Sequence, residues 1–170
     1  MITGLEEYLP KVKIIISEVD GVLTDGAIPI DELGNVSHKY FYHKDFEAIN
    51  LIKKHFKIVF LSMDNRISYH FFRRKSIPFY YADKVSKKSV LVEALRRYSL
   101  APEEALYIGC THSDVECMQI IPFSICTNDA VGDAKNLSVT VLDAFGGLGV
   151  FSEVYDMLKP EILRRLKADA

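Results

Sequence analysis

The sequence has no tryptophan and only three cysteines, Cys110, Cys117 and Cys126, among its 170 residues. An odd count without Cys-x-x-Cys spacing is not a disulfide framework, so an apolar core must hold the fold, and a reducing, cytoplasmic location is expected. No apolar run approaches the roughly 18 residues of a membrane-spanning helix. The first ten residues carry Glu6 and Glu7 where a signal peptide would run from basic to apolar. An excess of one charge is missing too. The net charge is −2, and the longest basic cluster is Arg73-Arg74-Lys75, whereas a dedicated nucleic-acid binder shows a basic patch or stripe. Neither nucleic acid nor a membrane is therefore expected as a partner. Internal repeats, low-complexity segments and linker-like stretches are also absent, and the expectation is one domain over residues 1–170.

What is present is apolar residue in quantity, 49% of the chain, enough for one sizeable core. Short, β-branched, nearly continuous apolar runs read as strands buried on both faces. They are Lys11 to Ser17, Lys57 to Leu61, Phe79 to Tyr81, Ala105 to Ile108, Phe123 to Cys126 and Val139 to Val141. Helical spacing or helix-ending prolines predict helices over Phe46 to Phe56, Asn65 to Lys75, Ser86 to Tyr98, Asp114 to Ile121 and Val150 to Leu166. Ala27 to Ile30 and Val36 to Tyr42, joined through Glu32-Leu33-Gly34-Asn35, predict a β-hairpin. Strands alternating with helices define an α/β class: a doubly wound, mainly parallel sheet flanked by helices. In such sheets ligands bind beyond the carboxyl ends of the strands, so the loops after Ser17, Leu61, Tyr81 and Ile108 are the ones to search.

Those loops carry a pattern. The first reads Glu18-Val19-Asp20-Gly21-Val22-Leu23-Thr24-Asp25-Gly26, the second Leu61-Ser62-Met63-Asp64, the third Ala82-Asp83-Lys84, and the fourth Tyr107-Ile108-Gly109-Cys110-Thr111-His112-Ser113-Asp114. Near the end comes Gly146-Gly147-Leu148-Gly149-Val150-Phe151-Ser152-Glu153. In this order and spacing they resemble the motifs of haloacid dehalogenase phosphatases, and in particular the capless Kdo-8-phosphate phosphatase family. The fourth motif is also similar to the C-terminal domain of CMP-sialic acid synthetases. The resemblance runs from about Lys11 to Leu158. It implies the haloacid dehalogenase-like fold with a β-hairpin flap and no cap domain, a Mg²⁺ ion, a sugar-phosphate ligand and a homotetramer. Carried over by position, it implies catalytic roles for Glu18, Asp20, Ser62 and Lys84. It implies metal binding at Glu18, Asp20 and Asp114, and substrate contacts at Asp45, Ser62 and Lys84.

The same residues depart from the pattern where the chemistry is most demanding. The family's nucleophilic aspartate position holds Glu18, whose extra methylene moves the attacking oxygen by about an ångström, a misplacement that can cost about 100-fold. The metal-binding aspartate position holds Cys110, followed by Thr111, and a soft, mostly neutral thiol is a poor partner for Mg²⁺. Leu148 and Ser152 bring no charge to the tail. Mg²⁺ binding is thus expected to be weakened. The expected function is that of a catalytically impaired relative acting as an oligomeric or binding module in nonulosonic or sialic acid-type sugar metabolism. The alternatives are an active Mg²⁺-dependent phosphatase for Kdo or nonulosonate phosphates and a regulatory subunit of a separately encoded sugar-nucleotide synthetase.

Overall fold

A computed structural model describes residues 5–64, 66–82 and 85–168. Six strands form the core: β1 Ile14–Glu18, β2 Lys57–Ser62, β3 Phe79–Tyr81, β4 Ala105–Gly109, β5 Phe123–Cys126 and β6 Thr140–Val141. They make one sheet in the order β3-β2-β1-β4-β5-β6, and every neighbouring pair is parallel. Strands β1, β4 and β5 are buried along their whole length, and β2 from its second residue onward. That two-sided burial is why their sequences are continuous apolar runs and not alternating ones.

The helices are α1 Leu5–Tyr8, α2 His43–Ile52, α3 Ile67–Arg74, α4 Lys87–Tyr98, α5 Val115–Met118, α6 Gly132–Leu137 and α7 Val150–Ala168. Helix α2 packs on α7, while α5 packs on both α4 and α6. Phe60 of β2 stacks on Phe72 of α3 with ring centroids 4.5 Å apart, and meets Phe151 of α7 at 5.6 Å. Buried aromatic area of this kind joins the sheet to helices from distant parts of the chain.

Several boundaries differ from the sequence expectation. Helix α2 starts at His43 and ends at Ile52; Phe56 is buried from the turn that follows, not from the helix. The segment predicted as a helix from Asp114 opens as a 3₁₀ turn over His112–Asp114 before α5. Helix α6 was not predicted: its six residues bury only Ala134 and so show no periodicity. The hairpin is reduced to a single antiparallel bridge, Ile30 to Val36. Its turn is held by the Asp31 carboxylate, which accepts from the Leu33 and Asn35 N–H groups at 2.9 Å each. Two backbone bonds at 2.9 Å, Asp31 N–H to the Asn35 carbonyl and Ser37 N–H to the Pro29 carbonyl, join the arms, and Phe41 of the second arm stacks on Phe71 of α3 at 4.4 Å.

The strand order reverses between β1 and β4. From there the chain fills one side with β2 and β3 and the other with β5 and β6. A crevice therefore opens beyond the carboxyl ends of β1 and β4, where their connections diverge.

Candidate functional site

Glu18 is the last residue of β1 and is 2% exposed. Its Oε1 accepts from the Val19 and Asp20 N–H groups at 2.9 and 3.3 Å. Its Oε2 accepts from the ammonium of Lys87. Lys87 is the first residue of α4, following Ser86, whose hydroxyl caps the helix by accepting from the Ser89 N–H at 3.2 Å. A cation in the first turn opposes the helix dipole. Two buried carboxylates compensate, because Lys87 also donates to Asp114 Oδ1 at 2.8 Å.

Asp114 ties together the loop after β4. Its Oδ1 accepts from Lys87 and from the Tyr107 hydroxyl, each at 2.8 Å. Its Oδ2 accepts from the Cys110 and Thr111 N–H groups at 2.9 Å and from the Thr111 hydroxyl at 3.0 Å. Five donors meet a carboxylate that has about four lone-pair positions, so both of its oxygens are engaged by the chain itself. Burial alone would raise this carboxyl, but Lys87 and the loop N–H groups outweigh it and hold it below the ordinary range. Burial, reinforced by the Asp114 charge, pushes the Tyr107 hydroxyl well above its ordinary value, so it stays a donor.

A second charged group lies on the open side. Lys39, from the second arm of the flap, is 8% exposed and donates to both oxygens of Asp20 at 2.8 Å, to Asp64 at 2.8 Å and to the Ser68 hydroxyl at 3.1 Å. Ser62, the last residue of β2, is buried; its hydroxyl donates to Asp20 Oδ2 at 3.5 Å and accepts from the Asp64 N–H at 3.2 Å. Asp64 also accepts from the Arg66 and Ser68 N–H groups at 3.0 Å, at the start of α3. Its burial would raise the carboxyl, but Lys39 and these N–H groups prevail and hold it far below the usual carboxylate range. Between the flap and these residues lies a cavity of about 350 Å³, whose charged lining is Asp20, Asp64, Lys39 and Arg66, two of each sign.

Cys110 sits where the resemblance puts a metal-binding aspartate. Its thiol donates to the backbone carbonyl of Asp20 at 3.3 Å. Burial, with the Asp114 charge next, pushes that thiol far above its ordinary range, so it is neutral. Gly21 has a φ of +84°, and a Cβ there would sit 2.5 Å from the Cys110 sulfur; the turn and the close approach both require glycine. The glycine-rich tail packs on the same loop: Gly147 N–H donates to the Val22 carbonyl at 2.9 Å, and a Cβ on Gly146 would collide with the Gly21 carbonyl. Glu153 holds the tail by accepting from the Asp143 and Ala144 N–H groups at 2.9 and 2.8 Å.

The structure thus brings Glu18, Asp20, Ser62 and Asp114 to one end of the sheet. Lys84 lies outside the described residues. Among the described ones the lysine that reaches the Glu18 carboxylate is Lys87, three positions further on. Asp45, expected among the substrate contacts, is instead wholly buried and caps α7, accepting from Gly149, Phe151 and Ser152 N–H at 3.3, 2.8 and 3.2 Å. Burial raises its carboxyl above the ordinary range against the pull of those three donors. Sequence reasoning missed Lys39 and Lys87. A signal for Lys87 did exist: a lysine directly after a helix cap is unfavourable unless an acid faces it. Among the described residues no group of three or more His, Cys, Asp or Glu is arranged to hold a metal. No described helix is long and apolar enough to cross a membrane.

A parallel sheet of this order, with an acidic loop after β1 and a hydroxyl after β2, matches the fold of haloacid dehalogenase-like hydrolases, among them one from Legionella pneumophila that is assigned to this superfamily, at TM-score 0.83 and 27% identity over 91% of this chain and 85% of that one. No protein-family model matches the sequence. The chain is 28% identical over 156 residues to 3-deoxy-D-manno-octulosonate 8-phosphate phosphatase KdsC of Haemophilus influenzae, covering 91% of this chain and 86% of the relative. The cobalt-bound structure of the Haemophilus influenzae phosphatase superposes with a TM-score of 0.81 at 29% identity over 89% of each chain. A Moraxella catarrhalis 3-deoxy-D-manno-octulosonate 8-phosphate phosphatase, solved with magnesium, phosphate and Kdo, shares the fold at TM-score 0.82 and 19% identity, over 93% of this chain and 91% of its own. By these comparisons the chain is similar to the capless Kdo-8-phosphate phosphatases of the haloacid dehalogenase superfamily.

Proposed function

We propose that the chain is a catalytically impaired relative of the Kdo-8-phosphate phosphatases, one domain over residues 1–170 that works as an oligomeric, sugar-phosphate-binding module in nonulosonic or sialic acid-type sugar metabolism. The observation that carries this reading is the engagement of the carboxylate at position 18. Attack on phosphorus needs a carboxylate oxygen free and aligned with the ester. One oxygen of Glu18 is held by two backbone N–H groups and the other by Lys87.

The donor set for a metal supports the same reading. Mg²⁺ is hard and takes near-octahedral oxygen ligands. Around the Asp20 carbonyl this chain offers a neutral thiol, a glutamate already paired with an ammonium, and an aspartate saturated by five donors. These residues do not fit Mg²⁺. A divalent ion, such as the cobalt of the Haemophilus relative, would have to displace Lys87 or the Cys110 thiol. The ligand class is suggested by that relative, which acts on 3-deoxy-D-manno-octulosonate 8-phosphate: a sugar phosphate of this kind. The flap supports a homotetramer, because Ile28, Ile30, Leu33 and Tyr40 are each at least 66% exposed and form an apolar surface suited to a subunit contact. A monomer in light scattering at micromolar concentration would overturn that part.

The second reading, a working Mg²⁺-dependent phosphatase, is favoured by the Ser62 hydroxyl beside Asp20 and by an ammonium on the position-18 carboxylate. One assay separates the two: Mg²⁺-dependent phosphate release from a panel of Kdo and nonulosonate phosphates, with Asp20→Asn as the control. We expect release equal to the control, and at least a tenfold rise when Glu18→Asp and Cys110→Asp are introduced together. Release by the unmodified chain that disappears in Asp20→Asn would establish the phosphatase instead.

A further inference from the structure

A larger cavity, about 540 Å³, opens at the opposite end of the sheet, at the amino ends of β1, β2 and β3. Lys13 stands just before β1, and Lys57 is the first residue of β2. Lys53 and His55 come from the turn after α2, Arg165 from α7, and Tyr98 from the end of α4. Among the described residues no carboxylate lines the cavity. In a chain of net charge −2, this is a local concentration of positive charge in a concave wall, the arrangement that focuses field lines onto an anion.

The floor of the cleft is tied together by Arg165. Arg165 donates to the Val12 carbonyl at 2.6 Å and to the His55 carbonyl at 3.3 Å, and its guanidinium lies 4.4 Å from the centroid of the Phe56 ring. Its acidic partner, Glu161, is shared with Arg164, which holds both of that carboxylate's oxygens at 2.7 Å. One negative charge thus serves two guanidinium groups, and positive charge is left over. Lys13 has Glu104 at 2.5 Å. Lys57 lies over the Tyr98 ring at 5.6 Å, and neither it nor Lys53 forms a salt bridge among the described residues.

We infer that this cleft is an anion-binding site, separate from the pocket at Asp20, and that it takes a small polyphosphate, inorganic or carried on a metabolite. Its volume falls within the roughly 300–1,000 Å³ of small-molecule pockets. A single phosphate would reach only part of the ring of cations, whereas a chain of phosphates spans the starts of adjacent strands, about 4.8 Å apart. Nucleic acid is a poorer match, because the positive charge is confined to one cleft and does not continue as a stripe.

The test uses the full chain and sodium tripolyphosphate at 0.15 M salt, where loose surface attraction is screened beyond about 8 Å. Titration followed by amide NMR is expected to show saturable shifts at Lys53 to Ile58 and around Tyr98. Lys53→Glu with Lys57→Glu should weaken binding at least tenfold. Arg73→Glu with Arg74→Glu, on the exposed basic cluster of α3, should leave it unchanged. Pyrophosphate and ATP in parallel distinguish an inorganic from a metabolite-borne group by which binds tighter. The inference is overturned by an absence of saturable binding, by equal weakening in both double variants, or by shifts confined to residues around Asp20 and Ser62.

Discussion

The two ends of the sheet treat charge in opposite ways. At the carboxyl ends, four acids are met by two lysines: Glu18 and Asp114 share Lys87, and Asp20 and Asp64 share Lys39. At the amino ends, bases gather around a cleft with no acid in its wall. A phosphatase pocket would be expected to leave positive charge free for a dianionic ester at the first end. Here Lys39 is taken up by Asp20 and Asp64 at the first end, whereas Lys53 and Lys57 at the second form no salt bridge among the described residues. The difference teaches that inherited loop motifs do not tell where an anion is best received; the local balance of charge does.

Removing the cation from the buried acidic pair gives the largest expected effect. Lys87→Met leaves Glu18 and Asp114 buried without their partner, and breaking such a pair costs about 3–5 kcal/mol. The matched change at the other end, Lys57→Met, removes an exposed cation and should stay within about 0.5 kcal/mol. Urea denaturation of the two variants measures the contrast directly. A loss under about 1 kcal/mol for Lys87→Met would erase it. Next comes Asp45→Ala, which strips α7 of its cap and should cost about 1–2 kcal/mol, with Asp45→Asn recovering most of it. Equal losses for the alanine and asparagine variants would show that the three N–H bonds do not act as a cap.

The smallest effect is a pH dependence at Asp64. Its carboxyl is depressed in the folded state, so the unfolded chain takes up the proton first as pH falls. The stability it contributes is fully present above the ordinary carboxylate value, about 3.9, and is lost as pH drops through the lower folded value. Wild type and Asp64→Asn should therefore run parallel above about pH 5 and converge below about pH 4. A gap that is the same at pH 3 and pH 7 would mean that the Lys39 pairing contributes nothing to acid stability.

Much of the fold was legible because it rests on short-range pattern. Runs such as Ile14-Ile15-Ile16 and Ile58-Val59-Phe60 mark strands buried on both faces, and Ser86 marks the start of α4. The hairpin was legible as a turn between two arms, although its ladder is a single bridge, Ile30 to Val36. The loops that gather at the crevice were also legible, as were the departures at Glu18 and Cys110. The charge pairing was not. Lysines stand at positions 84, 87 and 88, and composition does not say which of them turns inward; the first turn of α4 aims Lys87 at the end of β1. Lys39 sits in a hairpin arm whose pattern does not say what its side chain meets, and Asp45 meets its partners more than 100 residues away.

The sequence by itself determined the strands and helices, the loops that would meet, and which family positions had lost their aspartates, because each of these is written within about ten consecutive residues. Only the tertiary structure decided which cation neutralises which carboxylate and which bases gather at the amino ends of the strands. Coulomb attraction and hydrogen bonding act across space: Lys87 and Glu18 are 69 residues apart in the chain and in contact in the fold.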